Sequence, residues 1–348
     1  MRYDVSELLA VCTALLQKAG LDHEKALIVA EVLVEGDLMG HDTHGLQLLA
    51  PYLAELAAGR MRGTGDITVT GGRGAVASWD GDYLPGPWLV VRAMQEAAAK
   101  AREFGMGAIA IARSHHIASL ASYLKRAADE DLIVIIQCSD PAVRAVAPHG
   151  GLHATHTPNP VAIGYATDAG PVLMDISMSI TTNGMSGRLH KTGAQFSGQW
   201  LKDADGNATS NPSVLFSDPA GSLLPIGGLE YGHKGFALGT MVEALTSGLS
   251  GFGRLTAPDR WGASVLVQMI DPTAFAGLDT FRAETGHFAQ ACRSNPVPEG
   301  APPVRMPGEH GLAMRLQYLQ EGVPLPSGVA EDIANRCAAQ AISWTGAV

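Results

Sequence analysis

The feature that most constrains the fold is a change of hydrophobic period near Val76. Before it, apolar residues recur every three to four positions, and after it they gather into short β-like bursts. Asp4 precedes Val5, Leu8, Leu9, Val11, Cys12, Leu15 and Leu16, with Glu7 placed to complete a capping box, which predicts a helix to Gly20. A second helix is expected from Asp22, with Ala26, Ile28, Val29, Val32, Leu33 and Val34 on its apolar face. It leads through Gly36 and Gly40 into a further helical stretch, Leu46 to Ala58. Bursts then follow at Ala75–Trp79, Ala108–Ala112, Ile133–Gln137, Val161–Tyr165 and Val172–Ile176, with helical segments at Trp88–Glu103 and Ser119–Glu130 between the earlier ones. Such an order demands a sheet under helical cover.

From Gly184 to Gly228 the chain is rich in Gly, Pro, Asn and Ser and reads as irregular. A helix is expected at Lys234–Ser247, a strand at Val265–Ile270, and helices again from Thr280, interrupted at Asn295-Pro296 and Pro298–Pro307. At 348 residues the chain suits about two lobes, at roughly 150 residues per domain. The pattern divides it into a mainly helical lobe, 1–70 plus 290–348, and a sheet-containing domain, 71–289.

Composition narrows the function classes. Lys+Arg number 24 against 34 Asp+Glu and form no long run, so the electrostatic footprint of a nucleic-acid binder is missing. Acidic residues interrupt the N-terminal segment where an export signal would carry only bases, and no apolar run approaches the ~18 residues that span a bilayer. Cys12, Cys138, Cys292 and Cys337 are scattered without a Cys-x-x-Cys spacing, which fits a reducing cytoplasm.

Chemistry concentrates at glycine-flanked positions. Gly40-His41-Asp42-Thr43-His44-Gly45 joins two imidazoles, a carboxylate and a hydroxyl, and a second His pair follows at Ser114-His115-His116. An imidazole gives and accepts protons near neutral pH, so acid/base work is one reading of these pairs. Metal ligation, with His153 and His156 as further candidates, and surface or capping roles are the others. Gly232-His233-Lys234-Gly235, opening an apolar helix, suits a phosphate, and equally a solvated lysine. Asp175 ends the run Val172-Leu173-Met174, where ribose-binding partners and turn-formers both occur. Two Gly-x-Gly-x-x-Ala matches, Gly72–Ala77 and Gly105–Ala110, lead into β-like bursts rather than helices, so neither serves as a dinucleotide fingerprint. No P-loop and no Gly-x-Ser-x-Gly occurs.

Taken in order, the segment 40–45 with Tyr52, His116 through Tyr123, Cys138-Ser139-Asp140-Pro141, Asn159–Ile163, Met174–Ser179, Asp203–Gly206, Lys234–Leu238 and Pro307-Gly308-Glu309 resemble the type-2 malate/L-lactate dehydrogenase family over nearly the whole chain. The resemblance implies a mixed α/β, non-Rossmann fold with a mainly antiparallel central sheet and a helical N- and C-terminal lobe. It implies an NAD- or NADP-dependent oxidoreductase acting on a small 2-hydroxy or 2-oxo acid, a related carbonyl or a cyclic imine, and a homodimer. No metal, nucleic acid or membrane partner is expected. Carried over residue by residue, His116, His44 and Thr43 are the catalytic candidates. Ser139, Asp175, Ile176, Ser177, Met178, Ser179, His233, Lys234, Pro307, Gly308 and Glu309 match cofactor-contacting positions. Thr43, His44 and position 48 would face the substrate. The family usually carries Ser-His-Gly-x-x-Arg there, whereas this chain has Thr43-His44-Gly45-Leu46-Gln47-Leu48. Losing that guanidinium removes a charge-assisted contact of about 1.5–3 kcal/mol. Either Arg144 or Arg188 replaces it, or the substrate has no carboxylate. Ala118 for the usual Gly and Thr157-Pro158 for the usual Gly-Thr also alter loops near the site. A metal-dependent hydrolase using the His pairs and a non-catalytic binding homologue are the alternative readings.

Overall fold

The computed structural model describes residues 1–346. In chain order its elements are α1 (Val5–Lys18), α2 (His23–Leu38), α3 (Leu49–Ala57), β1 (Thr68–Arg73), β2 (Val76–Asp80), α4 (Gly86–Phe104) and β3 (Met106–Ser114). There follow α5 (Ala121–Ala128), β4 (Ile133–Ser139), β5 (Val161–Tyr165), β6 (Val172–Ile176), α6 (Asn183–Thr192), β7 (Leu201–Lys202), β8 (Ala208–Thr209) and β9 (Ser222–Leu223). The chain closes with α7 (Gly228–Glu243), β10 (Ala263–Ile270), α8 (Leu278–Arg293), α9 (Glu309–Glu321) and α10 (Val329–Ala339).

Asp4 caps α1 as its spacing predicts, its carboxylate accepting the Glu7 N–H at 3.0 Å. That start points Leu8, Cys12, Leu15 and Leu16 inward. Helix α2 is buried on several faces at once, with Val29, Ala30, Val32 and Leu33 all shielded, because it lies between α1 on one side and α4, α5 and α9 on others. Trimming Leu33 to Ala at such a site costs about 2–5 kcal/mol. Helix α4 ends where Gly105 takes a left-handed φ of 83° and returns its N–H to the Ala101 carbonyl at 2.7 Å. The chain then turns directly into β3, which explains why this Gly-x-Gly-x-x-Ala run opens a strand. The other run, Gly72–Ala77, spans the turn of the β1–β2 hairpin.

Seven strands form the main sheet in the order β1-β2-β3-β10-β4-β5-β6, antiparallel throughout except for the β2/β3 pair. The registers pair Ala263 with Ser114 and Ser264 with Ser139, so the C-terminal ends of β3 and β4 meet the start of β10 at one end of the sheet. Ile176 opposite Val161 brings the end of β6 and the start of β5 to that same end. One apolar core runs from Leu8 through Ile109, Val134 and Val265 to Ile333 and Cys337, joining the terminal helices to the sheet.

The stretch expected to be irregular holds more structure than its composition suggests. Helix α6 and the small sheet β8-β7-β9 lie within it, around a separate apolar cluster of Val146, Phe196, Leu201 and Leu223. Their strands are two residues long, and α6 contains Gly184 and Gly187, so local propensity is weak. Packing of Met185 and Leu189 on that cluster stabilises the helix instead.

Candidate active site

The sheet end assembled by those registers opens onto a cavity of about 640 Å³. Each lining segment arrives from a different element: His116 to Leu120 after β3, Asp140 after β4, Trp261 and Gly262 before β10, Asp175 and Ser177 at the end of β6. The loop between α2 and α3 contributes Gly40 to His44 and Leu48, and the start of α6 contributes Thr182 to Met185. His44 and His116, 72 positions apart in the chain (116 − 44), stack here with ring centroids 6.0 Å apart.

His116 is held from several sides. The buried Tyr52 of α3 lies with its hydroxyl 2.9 Å from Nδ1 and donates to the His116 carbonyl at 3.1 Å. The Ala118 N–H lies 3.3 Å from the same Nδ1. With its hydrogen on the carbonyl, the Tyr52 oxygen is an acceptor toward Nδ1, which favours the Nδ1–H tautomer and leaves the Nε2 lone pair free. Trp261 covers the ring with a centroid separation of 4.6 Å. His115 stands behind, wholly buried and edge-on to Trp261 at 5.0 Å. Burial, with His44 and His115 adding repulsion, holds His116 well below the usual histidine value. Burial also pushes His115 down to about 4, against the opposing pull of Glu55.

The loop carrying His44 is clamped from α2. The Asp37 carboxylate accepts the Leu46 N–H at 2.6 Å, and a Cβ on Gly45 would collide with that carboxylate. Burial pushes the Asp37 carboxyl up to about 8, only partly offset by the Leu46 N–H. Thr43 Oγ1 sits 2.9 Å from His44 Nδ1, and burial followed by His41 lowers the His44 pKa. Ala118 has a φ of 58°, in the left-handed region where glycine is at ease, which accounts for the glycine usual at this position.

The remaining sequence candidates divide. Asp175 lines the cavity, but its carboxylate accepts the Ala121 N–H at 2.9 Å, so it also anchors the start of α5. Ser177 lines the cavity, Ile176 is exposed, Met178 is buried with its N–H on the Pro158 carbonyl at 2.7 Å, and Ser179 donates to the Thr181 carbonyl at 2.6 Å. Ser139 donates to Glu243 at 2.7 Å, in a network where Arg254 holds Glu243 at 2.8 Å and the Val143 carbonyl at 2.8 Å. Pro307 accepts the Leu173 N–H at 3.0 Å and Glu309 pairs with Arg293, fixing the Pro307-Gly308-Glu309 turn against β6. His233 and Lys234 lie on the exposed face of α7, outside the cavity lining. Arg144 is exposed and does not line the cavity, and Arg188 pairs with Asp42 at 3.0 Å. Among the described residues no group of three His, Cys, Asp or Glu side chains is placed to hold a metal ion. Trp261 was missed in the sequence because a single aromatic before a strand carries no local signal; only the β3/β10 register brings it to His116.

A family profile described as malate/L-lactate dehydrogenase matches residues 3–334. Hydroxycarboxylate dehydrogenase B of Escherichia coli K12 is 28% identical over 335 residues, covering 94% of this chain and 91% of the relative. The (2R)-3-sulfolactate dehydrogenase (NADP(+)) of Chromohalobacter salexigens is 30% identical over 341 residues, covering 94% and 95%. The crystal structure of malate dehydrogenase from Entamoeba histolytica superposes with a TM-score of 0.93 over 99% of both chains; at 23% identity that likeness speaks for the fold.

Proposed function

The chain belongs to the malate/L-lactate dehydrogenase family, and from that premise we propose that it interconverts a small 2-hydroxy acid with its 2-oxo acid, or a related carbonyl or cyclic imine with its reduced form, with His116 moving the proton. The carrying observation is the Tyr52–His116 contact at the wall of a cavity that His44 shares. NAD or NADP, when bound, gives or takes the hydride.

The residues fit a nicotinamide. The Ser119 hydroxyl lines the cavity and is shielded from solvent, with the Asp175 carboxyl beside it, so a carboxamide would share its hydrogen bonding. Asp175 to Ser179 and the Pro307-Gly308-Glu309 turn would hold the nucleotide beyond the ring, and His233 and Lys234 its phosphates.

In the oxidation direction, neutral His116 removes the hydroxyl proton at Nε2. Its depressed pKa keeps that nitrogen available at pH 7. The imidazolium so formed keeps Nδ1–H on the Tyr52 oxygen, whose own hydrogen stays on the His116 carbonyl. In reduction the same imidazolium returns the proton. Thr43 orients His44 as the second imidazole of the site.

Self-association as a homodimer belongs to the proposal, supported by the exposed Tyr231, Leu238 and Met241 at one-face spacing on α7. Placement in a reducing cytoplasm is supported by four cysteines that form no disulfide. No helix among the described residues is long and apolar enough to cross a membrane. The deciding experiment is a fluorescence titration of the purified protein with NADH and with NADPH: saturable quenching by one names the cofactor, and binding of neither overturns the dehydrogenase reading.

A further inference from the structure

The cavity that holds His116 is charged the wrong way for a dicarboxylate. Asp42, Asp140 and Asp175 line it, and among the described residues no lysine or arginine does. Leu48 lines it where the resemblance leads one to expect a guanidinium. The nearby arginines are engaged elsewhere: Arg188 on Asp42, Arg254 on Glu243, and Arg260 over the Tyr83 ring at 4.1 Å.

Two of the three carboxylates leave no buried oxygen without a partner. Asp42 has Arg188, and Asp175 has the Ala121 N–H. Asp140 differs. Its Oδ1 accepts the Ala142 N–H at 2.9 Å, but Oδ2 is shielded from water and takes no hydrogen bond. An unpartnered buried carboxylate oxygen is costly to keep, and a cationic ligand removes that cost. Burial pushes the carboxyl up to about 6 against the pull of the Ala142 and Gly262 N–H groups and the more distant Arg254 charge, so at pH 7 it is mostly ionised. It is also rigidly presented, because Arg254 grips the carbonyls of Asp140 and Val143 at 3.2 and 2.8 Å. Trp261, the ring type that attracts a cation best, lines the same cavity.

We propose that Asp140 is the specificity-determining residue of this site and selects a substrate whose end distal to the reacting carbon carries a cationic nitrogen. The inference rests on the dehydrogenase reading and names its substrate class. In the reaction the ketone carbon takes a hydride, its oxygen takes the proton from His116, and the reduced nicotinamide is oxidised in the same step.

The test uses three 2-oxopentanoates that differ only at C5: unsubstituted, carboxylated, and carrying a trimethylammonio group, whose quaternary nitrogen cannot close onto the ketone. With the full chain and saturating reduced nucleotide, kcat/KM for the cation is expected to exceed that for the dicarboxylate by at least about tenfold. Asp140→Asn keeps the acceptor for the Ala142 N–H and should narrow that ratio about tenfold, and Asp140→Lys should reverse it. A wild-type preference for the dicarboxylate, or a ratio unmoved by Asp140→Asn, overturns the proposal. Turnover of none of the three while NADH or NADPH still quenches the protein's fluorescence overturns it alone. Loss of nucleotide binding altogether would overturn the dehydrogenase reading with it.

Discussion

Two glycine-flanked motifs that look alike in the sequence end in opposite environments. In Gly40–Gly45 the second glycine lets the loop press onto α2, where Asp37 seizes the Leu46 N–H, the first lies against Met314 of α9, and the side chains between them face the cavity. In Gly232–Gly235 the glycines press α7 onto Pro225 and Ile226, and the intervening His233 and Lys234 are left facing solvent. A glycine pair therefore marks where the backbone approaches something closely. What it approaches decides whether the side chains beside it are buried with a shifted pKa or stay exposed as a charge.

That contrast breaks or sharpens at four points. The largest effect is expected from His116→Ala, which should lower kcat by roughly 10²–10⁴ while nucleotide affinity stays within a few-fold. A loss of only a few-fold would remove His116 from the proton-transfer role. Next comes the Asp37 clamp. Because its folded carboxyl lies near 8, above the ordinary 3.8, the folded state holds a proton that the unfolded chain has released. Stability should then fall as pH rises through that window, by on the order of 2 kcal/mol more in the wild type than in Asp37→Asn. Parallel melting-temperature profiles for the two proteins between pH 4 and 8 would discard the clamp's electrostatic account. On the exposed motif, Lys234→Ala should weaken NADH or NADPH binding about fivefold to tenfold, with kcat held and the loss shrinking at high salt. A fall in kcat matching that of His116→Ala would erase the distinction between the two motifs. The smallest effect is at Ala118: Ala118→Gly relieves its left-handed φ of 58° and should stabilise the protein by about 0.5–1 kcal/mol in denaturant melts.

The strands Val161–Tyr165 and Val172–Ile176 match the sequence reading residue for residue, and α1, α2 and α4 match it within a few positions. Those elements rest on side-chain period and on caps such as Asp4, which are short-range signals. The edge strand β1, the two-residue strands and α6 escaped because contacts far along the chain stabilise them. Within the site, His44, His116 and Thr43 were legible as chemistry-bearing types, and the cavity brings them together. The cofactor candidates scatter over the β6 edge, the Pro307 turn and the exposed face of α7, because residue type alone carries no information on which distant segments share a surface.

By itself the sequence determined the helices and strands, the family and the kind of side chain available for proton transfer, because propensity, periodicity and residue order need no knowledge of distant neighbours. Only the tertiary structure decided that Tyr52 and Ala118 meet Nδ1 of His116 from two directions, that Trp261 covers its ring, and that among the described cavity carboxylates Asp140 has the buried oxygen without a hydrogen bond. Protonation and charge balance depend on which groups meet within a few ångströms. Tyr52 and His116 meet across 64 residues of chain, where the segment that follows β3 passes α3.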